Sequence, residues 1–117
     1  MLGIGKGAGG YTAPPVPQDV SASISPSSFV GASSNGSYTT PFFNAVASNG
    51  VGPFTYSWSI DEGIVQSPNS IKTRVVLSGY NRFVQTVLRL TITDTGDGNK
   101  TASATANVSV SFEDQLR

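Results

Sequence analysis

The segment Phe54-Thr55-Tyr56-Ser57-Trp58-Ser59-Ile60 leaves this chain little choice of fold class. Large apolar residues alternate with small polar ones along its whole length, directly after a Gly52-Pro53 turn. A period of two places Phe54, Tyr56, Trp58 and Ile60 on one face, which makes a β-strand buried on one side. The segment also carries the only tryptophan. Two longer runs repeat the pattern. Val84, Thr86, Leu88, Leu90 and Ile92 alternate with Gln85, Val87, Arg89, Thr91 and Thr93. Ala102, Ala104, Ala106, Val108, Val110 and Phe112 alternate with Thr101, Ser103, Thr105, Asn107, Ser109 and Ser111. Between the two, Asp94-Thr95-Gly96-Asp97-Gly98-Asn99 reads as a hairpin loop. A helical period is found nowhere.

Composition narrows the possible functions. A chain of 117 residues supports one domain with a real but modest core. Seven basic and seven acidic residues cancel, so no basic field attracts nucleic acid or anionic lipid. Cysteine and histidine are both missing. That removes disulfides, thiolate and imidazole metal sites, and the usual nucleophile and general base. No run is long enough for a transmembrane helix. Of the charged residues only Lys6 and Asp19 precede position 60. Either a partner covers part of this nearly uncharged half, or it is a solvated surface rich in Ser, Thr and Asn.

In chain order, residues 1–18 form an arm, 19–113 the sandwich and 114–117 a short tail. The arm has Gly at 3, 5, 7, 9 and 10, and Pro14, Pro15 and Pro17. Such a sequence holds neither helix nor strand alone. It reads as a disordered leader or as a segment that orders on a partner through Leu2, Ile4, Tyr11 and the prolines. Leu2 and Ile4 are too few apolar residues for the roughly 7–15-residue core of a secretory signal. The expectation is a chain made and kept in a cytoplasm until it is assembled or released.

Val20, Ala22 and Ile24 share one face of a first strand, which Pro26 ends. Phe29-Val30 and Ser37 to Thr40 suggest short pieces around Asn35-Gly36. Phe42 to Ser48 is a strand whose buried face stays open: Phe43, Ala45 and Ala47, or Phe42, Asn44 and Val46. Ile64 to Gln66 suggests an edge piece. Ile71 to Leu77 reads as one strand with Ile71, Thr73, Val75 and Leu77 on one face. Together these give an all-β, immunoglobulin-like antiparallel sandwich of about seven strands. Its expected core is Trp58 among Val75, Leu88, Leu90, Ile92, Val108 and Val110.

The stretch Asn49-Gly50-Val51-Gly52-Pro53-Phe54-Thr55-Tyr56-Ser57-Trp58 resembles the turn and third strand of immunoglobulin-like PKD and related repeat domains. Leu90-Thr91-Ile92-Thr93-Asp94-Thr95-Gly96-Asp97-Gly98 is similar to that family's penultimate strand and hairpin. Thr101 to Val110 is similar to its last strand. The resemblance spans Asp19 to Phe112 and implies an immunoglobulin-like sandwich. Such domains usually sit in secreted, multi-domain proteins. A lone domain behind a Gly/Pro arm looks more like a small bacteriophage structural protein, and virion proteins made in the host cytoplasm need no signal.

Chemistry-bearing constellations are few. Asp61-Glu62 adjoin Gly63 and read as a solvated turn. Asp94, Asp97 and Asn99 have the spacing of oxygen ligands, yet lack the distal Glu of a calcium loop before Glu113. Gly3, Gly5 and Gly7 lack the strand, the helix and the Lys position of a phosphate loop. Tyr80, Arg82 and Phe83 cluster near a turn and could contact a surface ligand, although packing at the open end of the sandwich is the preferred reading. The expected function is a non-enzymatic virion protein without cofactor or metal. Its arm would attach it to the major capsid or tail protein in many copies, aiding particle stability or host-surface adhesion. The alternative is a carbohydrate-binding or adhesion module of a bacterial surface protein that contacts surface glycan. Neither reading involves nucleic acid or membrane insertion.

Overall fold

A computed structural model describes residues 18–113. These form an all-β sandwich whose strand pairs are antiparallel with one exception. The strands are β1 (Ser21–Ser25), β2 (Ser28–Ser33), β3 (Ser37–Thr39), β4 (Phe43–Ser48) and β5 (Phe54–Ile60). They continue as β6 (Ile64–Val65), β7 (Lys72–Thr73), β8 (Val75–Ser78), β9 (Arg82–Asp94) and β10 (Lys100–Phe112). One sheet has the order β2-β10-β9-β5. The others are β1-β4-β7 and β3-β8-β6.

The long hairpin of β9 and β10 is the frame. Its register pairs Asp94 with Lys100 at the turn and Arg82 with Phe112 at the far end. β5 adds to the other side of β9, with Trp58 opposite Leu90 and Phe54 opposite Asp94. The even-numbered residues of β9 and β10 therefore point inward together with Trp58. They meet Ile24, Phe43, Ala45, Val75 and Leu77 from the opposing sheets in one buried cluster. Burying Leu88, Leu90 and Ile92 stabilises the fold by roughly 1.5–3 kcal/mol each relative to exposure. On β4 the buried face is Phe43 and Ala45, while Phe42 and Val46 face solvent.

Trp58 also closes a sheet edge. Its indole Nε1–H donates to the Ser70 carbonyl at 2.7 Å, and its backbone N–H donates to Pro68 O at 2.8 Å. The Asn69 carboxamide donates to Tyr56 O at 3.3 Å. The segment 66–70 thus covers the outer edge of β5, which would otherwise present unpaired backbone groups.

Three details differ from the sequence expectation. Among the described residues the strand segments number ten, more than the seven or so expected, because the short pieces β2, β3 and β6 each pair as strands and one run that looks continuous divides in two. Ile71 to Leu77 is that run. It breaks at Arg74 into β7, which pairs with β4, and β8, which pairs with β3 and β6. Ile71, expected inside, is 55% exposed before the break. The third difference is a parallel pair, β2 with β10. Pro26 ends β1, and the chain crosses to the other sheet within two residues without reversing direction. There β2 pairs with β10 in parallel, Ser28 opposite Asn107 and Ser33 opposite Phe112.

Candidate functional site: the two ends of the sandwich

One end holds the turn 49–53, the β9–β10 turn and residues Gln18 and Asp19. Asp94 organises it. Its side chain is 0% exposed, and its oxygens accept the backbone N–H groups of Val51 and Gly52 at 2.8 Å each. Its carbonyl accepts the N–H groups of Asp97 and Asn99 at 3.1 Å. Thr95 completes the junction: both its N–H (3.0 Å) and its hydroxyl (2.7 Å) donate to Pro53 O. A carboxylate that accepts two amides needs no cation to be satisfied. Gly50 allows the close approach. It sits at φ 79°, and a Cβ there would lie 2.6 Å from Asp94 Oδ2.

The oxygen-ligand spacing of Asp94, Asp97 and Asn99 therefore has a different use here. Asp94 points into the protein, and Asp97 lies 3.6 Å from Lys100 Nζ. Among the described residues, no group of three His, Cys, Asp or Glu side chains is placed to hold a metal. One sequence signal for Asp94 exists: it has the same parity as Val84 to Ile92, so the alternation itself puts a carboxylate on the buried face.

The described residues begin at this end. Gly50 N–H donates to Gln18 O at 3.0 Å. Lys100 Nζ reaches the Asp19 carboxylate at 2.9 Å. The hydrogen bond and charge of Asp19, with the charge of Asp97 added, raise the Lys100 ammonium above its ordinary pKa. The proposed anchors Leu2, Ile4, Tyr11, Pro14, Pro15 and Pro17 lie outside the described residues.

The opposite end carries Tyr80, Arg82 and Phe83. Tyr80 is 49% and Phe83 58% exposed, so neither plugs the sandwich. Phe112 closes it, almost fully buried, and a Cβ on Gly79 would come within 2.7 Å of its ring. Arg82 is paired with Glu62. Arg89 makes two 3.0 Å bonds to Asp61, and this hydrogen bonding, with the Arg89 charge, lowers the Asp61 carboxyl below its ordinary pKa. Asp61 and Glu62 are therefore committed to separate arginines. Their turn is fixed by the Glu62 N–H donating to the buried Thr86 hydroxyl at 2.8 Å.

Two features escaped the sequence reading. Beside the start of β4 and the β7–β8 break, Lys72 Nζ lies 4.5 Å and the Arg74 guanidinium 4.0 Å from the Phe42 ring centroid. The long cationic side chains cover an exposed ring. On the outer face of β9 and β10, a hollow of about 270 Å³ is lined by Gln85, Thr86, Val87, Asn107, Val108 and Ser109. Both depend on cross-strand register, which sequence spacing does not reveal. No family model, curated protein or solved structure matches this chain.

Proposed function

We propose that this chain is a non-enzymatic structural protein of a phage particle: an immunoglobulin-like domain fixed to the capsid or tail through its N-terminal arm, in many copies. The observation that carries the reading is the arm's root. Gln18 and Asp19 are bound to the Gly50 amide and to Lys100, at the end where Asp94 locks both turns together. A partner that holds the arm thereby holds a rigid domain. The strand order supports the immunoglobulin-like part: β5 with its tryptophan, β9 and β10 face β1-β4-β7, as in that class of sandwich. The arm itself suits a groove. Its glycines permit close backbone approach, and ordering it is offset by burial of Leu2, Ile4, Tyr11 and the prolines. Assembly is the test. Deleting residues 2–17 should leave a domain that folds but no longer joins particles. Full incorporation of the truncated domain defeats the reading.

A second reading, an adhesion module that binds bacterial surface glycan, is favoured by the exposure of Tyr80 and Phe83 on either side of Arg82. It expects glycan affinity in the isolated protein that falls in Tyr80→Ala or Phe83→Ala. A flat glycan screen rules it out.

A further inference from the structure

We infer that the outer face of the four-stranded sheet carries a subsite for a neutral saccharide, built from Gln85, Val87, Asn107 and Ser109, with Phe83 next along the same face of β9 as an aromatic platform beyond the hollow. The inference rests on the adhesion reading and gives it a place and a ligand class.

Position comes first. β9 runs from Asp94 to Arg82, about 40 Å at roughly 3.3 Å per residue. The arm root lies at the Asp94 end and Phe83 at the other. A domain tethered by its arm therefore presents the Phe83 end outward. Shape follows from the register. Phe83 pairs with Ser111, Gln85 with Ser109 and Val87 with Asn107, while Val30 of β2 stands beside Ser109. All these odd-numbered positions of β9 and β10 face away from the core. Small serines on β10 lie between longer side chains on β9 and Val30, which is 76% exposed. The sheet face is thus a trough.

Size and chemistry select the occupant. About 270 Å³ sits just below the roughly 300–1,000 Å³ of small-molecule sites, which suits part of a small ligand, one sugar ring, and not a whole drug-sized molecule. No charged side chain lines it, and the nearest arginine along β9, Arg89, is committed to Asp61. An anion would find no counter-charge. The Gln85 and Asn107 carboxamides make no hydrogen bond among the described residues. Each offers donors and an acceptor, and the Ser109 hydroxyl offers both. Paired hydroxyls on a sugar ring need both senses at once. Its apolar C–H face can pack on Phe83 and Val87, removing from water apolar surface that is otherwise left exposed there.

The test is a titration of the ¹⁵N-labelled full chain with maltose, cellobiose, N,N′-diacetylchitobiose and sialyllactose. Sugar is added to about 20 mM, well above the ~1 mM Kd expected of one shallow subsite. Support would be saturable amide shifts at Phe83, Gln85, Val87, Asn107 and Ser109 with a neutral sugar, unchanged by added salt. Gln85→Ala and Asn107→Ala should each weaken binding about tenfold at unaltered melting temperature, since both side chains are exposed. Shifts confined to Tyr80–Arg82, with both alanine variants binding normally, would overturn the subsite and leave the adhesion reading standing. Binding of sialyllactose alone, abolished by salt, would also overturn it. So would silence towards all four sugars, and a flat glycan screen would then remove the adhesion reading as well.

Discussion

The carboxylate of Asp94 is the residue on which one end of the molecule depends. It is fully buried and answers two amides of a turn more than forty positions away in the chain. Hydrogen bonds to a charged group contribute about 1.5–3 kcal/mol each, and a buried donor left unpaired costs about as much again in desolvation. Asp94→Ala orphans the Val51 and Gly52 N–H groups. We expect it to lower stability by about 3–5 kcal/mol in urea denaturation at neutral pH. Asp94→Asn keeps one acceptor but turns an NH₂ group toward an N–H, so it should lose about half as much. If Asp94→Ala unfolds at the wild-type urea midpoint, the carboxylate does not hold the turns. Asp94 shows what parity can reveal. The alternation of β9 puts it inside, yet its neighbours Thr95-Gly96-Asp97-Gly98 make it look like an ordinary turn residue. Its partners lie in another loop, so spacing along the chain could not name them.

At the scale of elements, the informative event is the break between β7 and β8. Alternation runs unbroken through Thr73, Val75 and Leu77 because both strands face the same core. A period of two reports which side is buried and says nothing about which neighbour receives the backbone hydrogen bonds. Where the ladder changes partners, two buried threonines replace it. The Thr73 hydroxyl accepts Ser67 N–H at 3.0 Å and donates to Arg74 O at 3.2 Å. The Thr40 hydroxyl accepts Val75 N–H at 3.0 Å, and Thr40 N–H returns a bond to Val75 O at 2.9 Å. Buried backbone groups must be paired somewhere, so these hydroxyls are what allow the strand to switch sheets. Thr73→Val keeps the shape and removes the acceptor. It should cost about 1–2 kcal/mol and speed hydrogen exchange at the Ser67 amide. An unchanged Ser67 exchange rate would show that the switch does not need the hydroxyl.

For the whole molecule, the charges predict a broad plateau of stability. There is no histidine. The lowered Asp61 carboxyl contributes stability above its ordinary value of 3.8, and this is lost as pH falls through its folded value below that. The raised Lys100 ammonium contributes fully below its ordinary value of 10.5, and this is lost as pH rises through its higher folded value. The hydrogen bond and charge of Asp61 raise Arg89 further above its ordinary value, so it stays charged throughout. Melting temperature should therefore vary by no more than about 3 °C between roughly pH 5 and 9. A steep change near neutrality would require a titrating group that this arrangement does not contain. These ion pairs are exposed, so each contributes modestly at best. The sequence by itself determined the fold class, the inward face of β5, β9 and β10, and the place of the tryptophan, because all of these follow from a period of two along one strand. Only the tertiary structure decided that β2 runs parallel to β10, that Asp94 holds a distant turn, and that Phe112 closes the far end in place of Tyr80 and Phe83. It alone brought Gln85 and Asn107 together around one hollow. Each of these is a contact between strands, set by register and sheet crossing, and residues far apart in sequence carry no periodic record of meeting.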